Sequence, residues 1–189
     1  MAGVPIERSP LEPDPKYATK EENNNFNYPT DPGDEGQANC PYSAHIRKTR
    51  PRTDIREERR EPTRINRTGI PYGPEVGAEE EQTHKTATER GLAFVCYQSD
   101  MTKDGFRHIQ IDWANIVDFP RHKNVKAGFD PLVGQNNGGP RHTLGKQNGT
   151  SLALPYDFII ARGGEYFFTP SIQALKTVFI GEPYPTQPK

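Results

Sequence analysis

The sequence predicts an α+β domain built on a ferredoxin-like unit, preceded by a long irregular N-terminal segment. Three observations carry this reading. Apolar residues are sparse up to about Arg90 and concentrate in two later blocks, Gly91 to Phe119 and Leu152 to Ile180. Within those blocks the patterning runs strand, helix, strand, strand, helix. Only 32% of the 189 residues are hydrophobic and the mean hydropathy is -0.90, so a core drawing on the whole length does not fit this composition.

Each element has a local reason. From Met1 to about Gln37 the chain is rich in Pro, Asp, Glu and Asn, and residues 1–39 are expected to form a linker or wrapping segment before a domain of residues 40–189. Gly91 to Gln98 is an apolar run of strand length closed by Ser99-Asp100. Phe106, Ile109, Trp113, Ile116 and Val117 recur at three- and four-residue spacing, which predicts an amphipathic helix over Asp104 to Asp118 that ends before Pro120, with Trp113 in the core. Phe158–Arg162 and Glu165–Thr169 flank Gly163-Gly164 and read as a hairpin. Pro170 then opens a helix with Thr169 as N-cap and Ile172, Leu175, Val178 and Phe179 inward. A ferredoxin-like unit has one more strand, and Ile65 to Tyr72 is the candidate to pair the open edge. Glu79-Glu80-Glu81 and Gln135 to Thr150 read as solvated loops.

The net charge of -1 gives no reason to expect nucleic acid or an anionic membrane as partner. Charge is nevertheless uneven: nine Arg and Lys stand against four acids between His45 and Arg67. No run of eighteen apolar residues is present, and the N-terminal residues lack the pattern of an export signal. The two cysteines, Cys40 and Cys96, make neither a disulfide framework nor a zinc-type cluster, and Cys96 reads as a buried strand thiol.

The chemistry-bearing stretch is Cys40-Pro41-Tyr42-Ser43-Ala44-His45-Ile46-Arg47-Lys48-Thr49-Arg50-Pro51-Arg52, followed by Arg64-Ile65-Asn66-Arg67-Thr68-Gly69-Ile70-Pro71-Tyr72-Gly73-Pro74. By spacing alone His45 is a structural or surface histidine beside a basic run. The motif as a whole resembles the haem-binding C-terminal half of fungal dye-decolorizing peroxidases.

That resemblance implies half of a dimeric α+β barrel, haem b as cofactor, and hydrogen peroxide with an aromatic electron donor as substrates. It implies His45 as the axial ligand of the haem iron, Arg67 as the distal guanidinium that stabilises charge as the O–O bond parts, and Leu92 and Phe94 as apolar walls on the distal side. Asp130 is either a turn residue before Pro131 or the carboxylate that accepts the second N–H of His45. Arg47 and Arg52 are either propionate ligands or surface arginines. Tyr72 is either an electron relay to bulky donors or a plain strand-edge tyrosine. His84, His108, His122 and His142 receive no role.

One family signature, Gly-x-x-Asp-Gly, is absent; the nearest string, Met101-Thr102-Lys103-Asp104-Gly105, is expected to open the helix instead. Without the half that carries it, the expected protein is a haem-binding part of a peroxidase with impaired activity, unless a complementary N-terminal half is supplied. Relatives are commonly secreted, so the compartment is left open between that resemblance and the N-terminus. The alternative is a non-catalytic ferredoxin-like module that binds an anionic partner through the basic 45–67 stretch, although aromatics are not interleaved with that run.

Overall fold

A computed structural model describes Tyr28, Gln37 and residues 40–121, 123, 125–145 and 150–180. The expected linker, residues 1–39, lies outside the described residues except at Tyr28 and Gln37. The chain divides into two compact units, residues 1–159 and 160–189.

In the first unit the order is α1 (His45–Thr49), a 3-10 turn (Arg52–Asp54), α2 (Glu57–Arg60), β1 (Asn66–Tyr72), α3 (Ala78–Thr83), β2 (Gly91–Tyr97), α4 (Gly105–His108) continuing as a π-helical turn (Ile109–Ala114), β3 (Arg141–Leu144) and β4 (Ser151–Leu154). The α+β class is as expected. The sheet is not one layer: the described strands form two separate antiparallel pairs, β1–β2 and β3–β4.

The pairing proposed for residues 65–72 is present. β1 runs antiparallel to β2 with Arg67 opposite Cys96, Gly69 opposite Phe94, and Pro71 opposite Leu92. Proline is tolerated because β1 is an edge strand with no second neighbour to receive its missing N–H. The link between the strands is not the solvated loop expected around Glu79 to Glu81. Those residues form α3, and the Glu80 carboxylate accepts from the N–H groups of Gly77, Ala87 and Thr88 and from both terminal nitrogens of Arg90. These donors, Arg90 first, hold the Glu80 carboxyl down at about 2.

Helix α4 starts where expected, with Asp104 as N-cap. Gly105 has φ +69, and a Cβ there would lie 2.1 Å from Gln98 Oε1, so only glycine passes this point. The helix stops at Ala114, short of the expected Asp118, because the carbonyl that would carry it on is taken: Ala114 O accepts from Asp130 N at 3.0 Å. Trp113 is core as expected, stacked on Phe119 with centroids 5.0 Å apart and packed with Ile109. A second cluster joins Tyr42, Ala127 and Leu144.

The core therefore lies on residues 40–52 and 105–144. Of the two blocks chosen by apolar density, the helical part of the first supplies Ile109, Trp113 and Phe119 to the core, whereas its strand and the second block are largely exposed: Leu92 is 58% and Phe168 91% accessible. The first strand of the β3–β4 hairpin falls inside the stretch read as a loop, and the second directly follows it. The hairpin forms because Arg141, nearly buried, bonds Gly134 O at 2.8 Å and Tyr156 O at 2.7 Å, and because Gly128 bridges Thr143. No strand forms over 155–171, so the expected hairpin across Gly163-Gly164 is absent.

In the second unit, α5 (Ile172–Ala174) continues as a π-helical turn (Leu175–Phe179). Its N-cap is Ser171, whose hydroxyl accepts from Ala174 N at 3.1 Å, and not Thr169. Ile172, Val178 and Phe179 are exposed rather than inward. Among the described residues no helix is long and apolar enough to cross a membrane.

Candidate functional site

The site begins at the first residue of α1. Ala44 keeps an extended ψ of 133° and the helix turns directly after it, so His45 stands at the mouth of a five-residue helix. Its Nδ1 lies 2.8 Å from Asp130 Oδ2; the imidazole side chain is 40% accessible and the carboxylate 0%. The other carboxylate oxygen, Oδ1, accepts from Leu132 N at 2.9 Å and Val133 N at 3.0 Å. The two readings of Asp130, turn former and histidine partner, therefore hold together, one oxygen to each. With Nδ1–H donated to a carboxylate, the neutral ring carries its lone pair on Nε2, the nitrogen a metal would use.

Arg47 and Arg52 call for a correction. Arg47 is fully buried; its Nε and Nη2 donate to Asp54 at 2.7 and 2.9 Å, and Nη1 donates to the Cys40 carbonyl. The guanidinium also lies over the rings of Tyr28 and Tyr42, at 4.5 and 4.4 Å from their centroids. Arg52 is buried too, its pKa lowered by burial and raised in part by Tyr28. The Arg47 guanidinium is taken up by Asp54 and Cys40 and is not presented to a carboxylate arriving from solvent. Arg47 instead forms the ion pair that anchors α1.

Lys48, for which the motif gave no role, is fully buried. Its ammonium donates to Ile116 O at 2.8 Å and to Gly128 O. Burial pushes its pKa down to about 8, against the opposing pull of Asp130 and Asp118. An unfolded lysine titrates at 10.5, so between these values the unfolded chain binds more protons than the folded one, and stability rises with pH. Urea unfolding is expected to show a gain on the order of 3 kcal/mol from pH 8 to 10.5, and Lys48→Met is expected to abolish it.

On the β1–β2 pair, residues directly opposite share a face. Arg67, Leu92 and Phe94 thus lie on one face and Tyr72 on the other. Leu92 leans over Gly69, within 2.9 Å of where a Cβ would stand. Tyr72 lies across Gly91 in the same way, on the opposite side. Both faces are accessible: Leu92 58%, Phe94 42%, Tyr72 47%. Cys96, expected to be buried, is half-buried, and burial raises its pKa. Two contacts connect this face to His45. Phe94 meets Phe106 of α4 with centroids 5.7 Å apart, and the π-helical turn that follows α4 packs against α1.

The chemistry of the donor set fits a haem iron. Among the described residues no group of three His, Cys, Asp or Glu side chains could hold a bare ion; the fit rests on the His45 Nε2 lone pair and the carboxylate behind Nδ1. An apolar cavity of about 630 Å³ flanks the pair, lined by Ala44, Pro131, Leu132, Leu144, Leu152 and Phe158. Lys48 and this cavity were not found by sequence reasoning. Lys48 left a trace in its position one helical turn after His45; the cavity depends on the unpredicted β3–β4 hairpin.

The comparisons agree with the motif. The chain is 44% identical over 187 residues to the dye-decolorizing peroxidase AauDyP1 of Auricularia auricula-judae, covering 92% of this chain and 36% of that protein. It is 46% identical over 184 residues to a dye-decolorizing peroxidase of Exidia glandulosa, covering 92% and 35%. This chain is a relative of the fungal dye-decolorizing peroxidases. It spans about 36% of the length of the curated relatives it matches. A solved dye-decolorizing peroxidase, engineered in its haem pocket for asymmetric sulfoxidation, superposes with a TM-score of 0.77 at 43% identity, over 92% of this chain and 42% of that one. No family model matches the chain.

Proposed function

We propose that this chain is the haem-binding part of a peroxidase that oxidises dyes or phenols with hydrogen peroxide. The observation that carries this is the His45–Asp130 pair, an accessible imidazole tied at 2.8 Å to a wholly buried carboxylate. In the proposal His45 Nε2 holds the iron of haem b, and Asp130 accepts the Nδ1 proton, which fixes the tautomer and raises the basicity of the ligand. The bound haem supplies the electrons for peroxide reduction. Arg67 offers a guanidinium to the charge that develops on the departing oxygen. Leu92 and Phe94, on the face of Arg67, exclude water, and Tyr72, on the opposite face, accepts electrons from donors too large to enter and relays them inward.

Similarity of the relatives supports this reading, and the share of their length that the chain covers gives it a condition. The accessible faces of the β1–β2 pair favour a sheet completed by chain equivalent to the rest of the relatives. Partners are therefore peroxide, an aromatic donor and such a complementary half. A chimera tests this: the Auricularia enzyme with its matching segment replaced by this chain. It is expected to bind haem and oxidise an anthraquinone dye with peroxide, and Arg67→Leu is expected to lower kcat/KM by about 10²–10³ at unchanged haem content. A chimera with full haem content whose activity ignores Arg67→Leu would contradict the role of Arg67.

A further inference from the structure

The buried ammonium of Lys48 has no part in the ligand pair, yet it touches both ends of the segment that delivers Asp130. Lys48 lies three residues after His45 on α1, and its Nζ donates to Ile116 O and Gly128 O. Ile116 follows the π-helical turn, and Gly128 stands two residues before Asp130. Gly128 has little freedom of its own. Its φ is +80, a Cβ would lie 2.5 Å from His142 O, and its N–H bonds Val117 O at 2.9 Å. Asp130 N in turn bonds Ala114 O at 3.0 Å. The 115–130 loop is thus closed on itself, and Lys48 is, besides His45 itself, a side chain of α1 that ties this closed loop to the helix carrying His45.

We propose that Lys48 is a positioning residue: by clamping the Ile116 and Gly128 carbonyls to α1, its ammonium sets the His45–Asp130 hydrogen bond and so decides which imidazole nitrogen faces outward. Its relevance to iron rests on the function proposed above; the hydrogen-bond claim does not. A buried ammonium that left without replacement would strand the Gly128 carbonyl, leave Ile116 O with Phe119 N alone, and free the loop to shift against α1 by the few tenths of an ångström that a 2.8 Å bond does not tolerate.

The test uses the full 189-residue chain, uniformly labelled with ¹⁵N and read by NMR at pH 7, without haem. Wild type is expected to show His45 as a single Nδ1–H tautomer with a slowly exchanging ring proton. Lys48→Met is expected to lose that proton signal and mix the tautomers, while the β1–β2 and β3–β4 amide resonances stay in place. Lys48→Arg, which keeps charge and donors, is expected to restore the single tautomer. A single tautomer in folded Lys48→Met overturns the proposal. If Lys48→Met does not fold, wild type decides: a protected Lys48 ammonium resonance with cross-peaks to Ile116 and Gly128 is expected, and its absence overturns the proposal. Haemin added to the same samples separates the two claims, since failure of His45 to bind haemin with the tautomer result intact removes only the proposed function.

Discussion

Asp54→Ala is expected to lower the unfolding free energy by about 3–5 kcal/mol, the loss seen when one member of a buried ion pair is removed. A domain of ordinary stability has about 5–15 kcal/mol in total, so this one change consumes much of it. Arg47 and Asp54 side chains are 1% and 5% accessible, and the bond between them is 2.7 Å. Asp54 also receives Lys123 at 3.1 Å. Removing the carboxylate leaves two cations without the anion they share, one of them wholly inside. The Tyr28 and Tyr42 ring faces recover only part of this, since a cation–π contact gives about 0.5–2 kcal/mol. Arg47→Met is expected to cost less, because Asp54 keeps Lys123 and the methionine still fills the space between the rings. Urea unfolding of the two variants checks the order; equal losses would mean that packing, not charge, holds α1 in place.

The second large effect is on His45. His45→Ala removes the imidazole lone pair altogether and leaves Oδ2 of the buried Asp130 without its partner, which is expected to cost about 1–3 kcal/mol of stability. Asp130→Asn keeps the size of the buried group and can still accept from Leu132 and Val133, but loses the carboxylate charge that makes His45 Nε2 a strong donor. An intermediate result is expected for it: haem is retained, with a shifted absorption spectrum.

Part of this site was legible in the residues themselves and part only through the family resemblance, which alone lifted His45 above a surface histidine. The Ala-His-x-Arg-Lys run located His45, and Asp-Pro at 130–131 marked a carboxylate fixed by a turn. The alternation of Leu92 and Phe94 placed both on one face, and β1 formed where an open edge asked for a partner. The arginines misled because sequence shows charge without showing depth. Arg47 and Arg52 sit in a basic run that looks solvated, yet Asp54 and two tyrosines, Tyr28 and Tyr42, draw Arg47 inward. Apolar density misled for a related reason. In Gly91 to Tyr97 and in Phe158 to Phe168 it marks surfaces that stay accessible in this chain, while the actual core uses Tyr42, Ala127, Trp113 and Phe119 around two buried cations. The β3–β4 hairpin has four-residue strands beside glycine-rich sequence, and its support comes from Arg141 and Gly128 at a distance no periodicity reports.

The central claim is that the His45 ring, held by Asp130, presents Nε2 to haem iron. Optical titration of the chain with haemin, run in parallel on wild type and His45→Ala, tests it most directly. A histidine-ligated Soret spectrum in wild type that His45→Ala lacks is the predicted result. Superimposable spectra for the two proteins, with folding intact in both, would contradict the claim.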